Sequence, residues 1–214
     1  MTEGALLTET VLHRLREDVL GGVLAPGTAL SVPALAARLQ VSRSPVRESV
    51  QQLIAEGLAV ATPRSGARVA VIDDATMRAL LEVREVLDGL AARQAVVRAT
   101  TADVAALRAM LAEQQALLGA RPEGRRDAEL DLVFHTAVRR LSGNAPLVET
   151  LHRLHVQGHL YRSATWGADE DRRFAVAEHR RIVDALEAGD AAGAEVAARA
   201  HVAGVCVRLM RKPA

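Results

Sequence analysis

The stretch VSRSPVRESVQQLIAEGLAVATPRSGARVAVI, residues 41–72, decides the fold. Ser44 is expected to cap a helix that begins at Pro45. A serine side chain can accept from the unpaired N–H groups of a first turn, and proline has no N–H to leave unpaired there. Val46, Val50, Leu53 and Ile54 recur at helical spacing and give this helix one apolar face, which Gly57 terminates. LAVAT (58–62) then alternates as a strand does, Pro63-Arg64-Ser65-Gly66 reads as a turn, and ARVAVI (67–72) reads as a second strand.

Upstream, residues 33–39 form a short helix with Leu35 and Leu39 inward and Pro33 in its first turn. Before it, LAPGTALS turns at Pro26-Gly27, and residues 8–21 place Val11, Leu12, Leu15 and Val19 on one helical face that Gly21-Gly22 ends. Three short helices and a hairpin in this order make a winged helix-turn-helix. Downstream of Asp73-Asp74 no strand signal follows. Helical segments are expected at about 74–99, 101–119, 125–142, 145–164, 169–188 and 190–211, separated by Gly119, Pro122, Gly143-Asn144 and Gly189-Asp190. The fold class is therefore mainly α: a winged helix-turn-helix over 1–73 and an antiparallel all-α bundle of six to seven helices over 74–214.

Composition bounds the rest. Half of the 214 residues are hydrophobic and a quarter charged, which suits globular units, but only 2% are aromatic, so the cores must be built from Leu, Val and Ala. The single cysteine, Cys206, excludes an internal disulfide and is expected as a small buried hydrophobe in a reducing cytoplasm. No apolar run reaches the about 18 residues of a membrane span, so the expected location is cytoplasmic, with no membrane partner.

The net charge is only +1, so affinity for nucleic acid has to come from a local patch. Residues 38–68 hold five arginines (Arg38, Arg43, Arg47, Arg64, Arg68) against Glu48 and Glu56. Arg43 and Arg47 stand at the start of the third helix, where side chains enter a major groove and a guanidinium can take guanine O6 and N7 or a phosphate. Ser42 and Ser44 can donate to phosphates, and Gly66 would let the wing backbone approach the duplex. On pattern alone, solvated arginines on a packed helical hairpin explain the same residues.

In the second part, Asp131 and His135 are spaced i, i+4 and leave one helix face together. His179 shares a face with Ile182 and Leu186, and His201 with Ala198, Val205 and Leu209, so both point inward. One carboxylate and three imidazoles from three helices could enclose a divalent metal such as Zn, Ni or Mn. Hydrogen-bonded core histidines are the alternative. His152, His155 and His159 are expected as partly exposed helix residues, and His13 as a surface residue.

The segment from Gly22 to Ile72 resembles the GntR family of bacterial transcription regulators. The resemblance rests on Gly22, Leu24, Pro26-Gly27, Leu30, Leu35-Ala36, the run VSRSPVRES, Leu53, Glu56-Gly57-Leu58, Gly66 and Val69, about fifty residues in register. It implies that Arg43, Arg47 and Gly66 contact DNA. Two positions depart from the pattern: Pro33-Ala34 stand where some members carry a DNA-contacting arginine, and Gln40 stands where glycine is usual. LLEVREVLDGLAARQAV, LDLVFHTAVRRLSGNAPL and EHRRIVDALEAGDAAGAEVAARAHV look like the FCD effector domain of the FadR-like subfamily. That resemblance implies a divalent metal on Asp131, His135, His179 and His201, and a small carboxylate effector beside it. Arg84 falls on an arginine near the effector, with an ion pair to Asp88 as the alternative, and Arg162 is a second candidate. Asp88 replaces a usual glutamate. The function implied is a ligand-responsive regulator that binds a palindromic operator in double-stranded DNA as a homodimer. The alternative is a metal-dependent enzyme fused to a DNA-binding head.

Overall fold

A computed structural model describes residues 3–63, 66–119, 124–161 and 169–211. The chain divides into two compact units, Met1–Asp73 with Val156–Tyr161 and Asp74–His155 with Arg162–Ala214. In the first unit, helices α1 (Glu3–Leu20), α2 (Val32–Leu39) and α3 (Arg43–Ala55) precede strands β1 (Ala59–Thr62) and β2 (Gly66–Val69). The strands pair antiparallel, from Ala59 opposite Val69 to Thr62 opposite Gly66. Ala29 bridges to Arg68, and the Leu30 N–H donates to the Ala67 carbonyl, so the segment before α2 runs beside the hairpin.

The apolar spacing of the sequence becomes this unit's core. Val11, Leu15 and Val19 of α1 meet Leu35 and Ala36 of α2, Val46, Val50 and Leu53 of α3, and Ala67 and Val69 of β2. Val156 and Leu160 join the same cluster, although a division at residue 73 assigns them elsewhere. Two helix starts differ from the sequence reading. α1 begins at Glu3 rather than near residue 8, through a first turn in which Gly4–Leu7 are exposed, so that Leu6 and Leu7 do not extend the buried stripe of Val11, Leu15 and Val19. α3 begins at Arg43 with Ser42 as its cap, and Pro45 is accommodated further along the first turn, where N–H groups lack helical acceptors in any case.

The second unit contains α4 (Asp74–Val96), α5 (Thr101–Ala116), α6 (Gly124–Leu141), α7 (Ala145–His159, to His155 in this unit), α8 (Asp169–Glu187) and α9 (Ala191–Arg211). Thr100 and Asp103 cap α5 reciprocally, each side chain taking the other's backbone N–H. Helix α4 packs on α6, α8 and α9, and α5 on α6 and α8. Ala91, Ala92 and Ala95 of α4 and Ala194 and Ala198 of α9 are buried, and such small side chains let helices approach closely. Phe134, Val138, Ile182, Val183 and Leu186 fill the centre. Cys206 is half-buried rather than a core residue. No helix among the described residues is long and apolar enough to cross a membrane.

Candidate DNA-reading face and candidate metal centre

In the first unit, Ser42, Arg43, Ser44 and Arg47 are exposed on the opening turns of α3, while Pro45, Val46, Ser49 and Val50 on its other side are buried. The amphipathic spacing that builds the core thus also turns both arginines outward. Ser42 makes no side-chain capping bond, and Ser44 donates to Glu48 Oε1 at 3.2 Å. Gly66 opens β2 with φ +88°, and a Cβ there would meet nothing within 4 Å, so backbone conformation rather than crowding favours glycine.

The basic patch is smaller than the sequence count suggests. Arg38 is held by Asp18 at 2.5 Å, while Glu56, one of the two opposing acids, is itself held by Arg16 at 2.6 Å. Arg64 lies outside the described residues. Arg43, Arg47 and Arg68 remain as exposed cations on the described part of α3 and the wing.

In the second unit, Asp131 and His135 of α6, His179 of α8 and His201 of α9 converge, each buried, with one ligand atom apiece all within 4.8 Å of one another. Asp131 Oδ1 lies 3.5 Å from both His135 Nε2 and His179 Nε2, and His135 Nε2 lies 3.2 Å from His201 Nε2. Two donors on one ion, each at about 2.0–2.2 Å, stand about 3.0–3.5 Å apart, so the spacing suits a shared cation.

The surrounding groups orient these donors. Gln114 gives its amide N–H to the Leu130 carbonyl, which leaves its Oε1, 2.9 Å from His179 Nδ1, to accept the proton there. His179 Nε2 then carries the lone pair, is fully buried and has no hydrogen-bond partner among the described residues, as a metal ligand requires. His201 is set likewise. Its Nδ1 donates to Glu178 Oε2 at 2.9 Å, and Arg208 grips that carboxylate through two bonds of 2.7 and 2.8 Å.

The electrostatics favour the same protonation state. Burial pushes His135 down to about 4, against the pull of Asp131, and burial followed by the neighbouring His201 and His135 pushes His179 well below its ordinary value. Burial opposes charge on Asp131, but His135 and His155 hold its carboxyl well below the usual range. Neutral imidazoles beside an ionised carboxylate are what a divalent ion needs. The donor set, its spacing and the orphaned Nε2 therefore fit such an ion.

Two residues of this centre escape sequence reasoning. His155 is buried, not partly exposed, and its Nε2 lies 3.3 Å from Asp131 Oδ2. Arg139 is only 2% exposed: its Nε and Nη2 bond both oxygens of Asp88 at 2.7 and 3.1 Å, and Nη2 lies 3.2 Å from His155 Nδ1. A guanidinium only donates, so His155 Nδ1 accepts and Nε2 carries the proton toward Asp131. The chain Asp88–Arg139–His155 thus fixes Asp131 so that Oδ1 faces the other ligands. A signal existed, since Arg139 lies one turn after His135 on the same face.

Arg84 is buried, and its Nε pairs with Asp88 at 3.3 Å, the ion pair weighed from the sequence. Arg162 lies outside the described residues. His13 and His152 are exposed, as expected.

Comparison with known proteins places both units. Residues 7–69 match the model described as bacterial regulatory proteins, gntR family, and residues 79–204 match the FCD domain. The chain is 35% identical over 212 residues to an HTH-type transcriptional regulator in an unstable DNA locus of Streptomyces ambofaciens, covering 95% of this chain and 85% of that protein. It is 30% identical over 206 residues to a protein of Paenarthrobacter nicotinovorans named "Probable D-xylose utilization operon transcriptional repressor", covering 94% and 90%. Among solved structures, E. coli McbR/YncC superposes with a TM-score of 0.83 at 22% identity over 99% of both chains, a likeness of fold. These relatives are transcriptional regulators, which removes the enzyme alternative. The chain belongs to the gntR family of bacterial regulatory proteins and is a DNA-binding transcriptional regulator with an FCD domain.

Proposed function

We propose that this regulator is ligand-responsive, with a divalent metal (Zn, Ni or Mn) on Asp131, His135, His179 and His201 as part of its sensor. The observation that carries the reading is the buried convergence of these donors, with His179 and His201 each fixed through Nδ1 so that Nε2 faces inward. The ion supplies a Lewis-acidic position for one carboxylate of a small organic acid. Arg84, buried within the same unit, adds positive charge for that acid, and Arg162 is a further candidate. Arg43 and Arg47 read the major groove, Ser42 and Ser44 contact phosphates, and Gly66 brings the wing to the duplex. The regulator acts as a homodimer on a palindromic operator, since two symmetric heads match two half-sites. The acid alters operator affinity only through different affinities for two arrangements of the protein.

The test starts with DNA selected from a random-sequence pool by the full chain. Its affinity is then measured for the zinc-loaded and chelator-stripped protein, with and without acetate or longer carboxylic acids. We expect metal content near one ion per chain and a carboxylate effect on DNA affinity that chelation removes. A protein that stays metal-free after zinc loading, or an affinity indifferent to every acid, overturns the reading.

A further inference from the structure

We propose that Arg139 sets the size of the acid this sensor accepts: its pinned guanidinium closes the cavity next to the candidate ligands and admits only compact carboxylates. The inference rests on the proposed metal-held carboxylate and adds to it a class of ligand.

A small cavity in the second unit is lined by His135 and His201, by Asp88 and Arg139, and by Val138, Ile182 and Ala198. Its volume is about 10 Å³, about the room for one water molecule. Two candidate metal ligands and the Asp88–Arg139 pair therefore share the wall of one very small space. Arg139 is the largest of the fully buried side chains among the described residues. It is not a loose plug, because both Asp88 oxygens and His155 Nδ1 occupy its Nε and Nη2. Moving it would break a buried charge pair.

The remaining nitrogen carries the second observation. Arg139 Nη1 is buried and has no hydrogen-bond partner among the described residues. A buried N–H of a guanidinium without an acceptor is costly, so the site is completed by an oxygen that accepts from it. A carboxylate has two oxygens, one for the metal side and one for the guanidinium. A short acid satisfies both ends in little space, whereas a long alkyl chain has nowhere to go while Asp88 holds Arg139 in place.

The experiment titrates zinc-loaded full-chain protein with formate, acetate, butyrate and hexanoate, which share head group and charge and differ only in length. Calorimetric affinity and the shift in Tm are read for wild type, Arg139→Ala and Arg139→Met, each checked for zinc content and a cooperative melt. In wild type, formate or acetate should bind about tenfold or more tighter than hexanoate, the scale on which a filled pocket discriminates methylenes. Arg139→Ala should bring hexanoate level with acetate or above it. Arg139→Met, similar in bulk but without the donor, should weaken acetate about tenfold without admitting hexanoate. Wild-type protein that takes hexanoate as well as acetate overturns the size limit without needing any variant, and so does an unchanged order in Arg139→Ala. A zinc-loaded wild type that binds none of the four acids instead overturns the carboxylate-sensor reading, and this inference with it.

Discussion

Arginine does opposite things in the two units. Arg43, Arg47 and Arg68 of the first stand in solvent around an apolar core of Leu and Val, whereas Arg84 and Arg139 of the second lie inside a core and share Asp88. An exposed arginine costs the fold little and is free to meet a phosphate or a base. A buried one must be paid for by a partner, and two on one carboxylate leave the balance positive. Substituting an exposed arginine of the head should therefore spare the fold and damage DNA binding, while removing the buried charge partner of the helical unit's arginines should damage the fold.

The largest effect is expected from removing the shared carboxylate. Asp88→Ala leaves two buried guanidiniums without their acceptor, and urea unfolding should report a loss of about 3–5 kcal/mol. A loss below about 1 kcal/mol would mean that Arg84 and Arg139 reach solvent easily, and the contrast between the units would dissolve.

Metal removal comes next. An ion that binds only the folded state adds about 3–4 kcal/mol when present at 100 to 1,000 times its dissociation constant. Chelation should therefore lower the Tm of wild type, while Asp131→Ala should melt near the chelated wild type and no longer respond to chelator. Elemental analysis should give about one ion per chain for wild type and almost none for the variant. Identical melting of wild type with and without chelator would leave the four residues as a hydrogen-bonded core cluster.

Exposed arginines should follow with smaller, purely functional effects. Arg47→Ala is expected to cost about 1–3 kcal/mol of operator affinity if it makes a bidentate base contact, and to leave Tm almost unchanged. Arg43→Ala, if its partner is a phosphate, should weaken binding across sequences and flatten the salt dependence by about one unit of slope. Near wild-type affinity and specificity in Arg47→Ala would remove it from the reading face.

The two units also differ in how much of them the sequence exposes. In the head, Val11, Leu15, Val19, Val46, Val50 and Leu53 are spaced so that core and exposed face follow from helical period alone, and the departures sit at helix starts, where Leu6 and Leu7 of α1 are apolar yet exposed and so mark no buried face. In the helical unit, Asp131, His135, His179 and His201 share faces with apolar residues and could be placed inward. Arg139 is ambiguous: it lies one turn after His135 on the same face, but Arg139-Arg140 equally looks like a solvated basic pair. Arg140 is indeed exposed, and what buries its neighbour is Asp88, 51 residues away on another helix. His155 is hidden for the same reason, since its partners are Arg139 and Asp131, both on α6. Local period reveals which face is apolar, but not which polar residue has found a buried partner far along the chain.

The smallest expected effect tests strain rather than charge, and it lies in the head. Gln40 caps α2 with φ 56° and ψ 40°, the left-handed region, where its Cβ crowds the following carbonyl. The conformation serves the turn, since the Gln40 N–H reaches the carbonyls of Ala36 and Ala37 and the chain then enters α3 at Ser42. The side chain is exposed, so its removal sacrifices no packing. Gln40→Gly should therefore stabilise the full chain by about 1 kcal/mol, read as a rise in Tm, despite the greater freedom glycine has when unfolded. Because Arg43 and Arg47 keep their places on α3, operator affinity should stay within about twofold. A fall in Tm would mean that the strain is smaller than the entropy glycine adds, and a large loss of affinity would mean that the side chain of Gln40, at the mouth of the reading helix, itself meets the DNA.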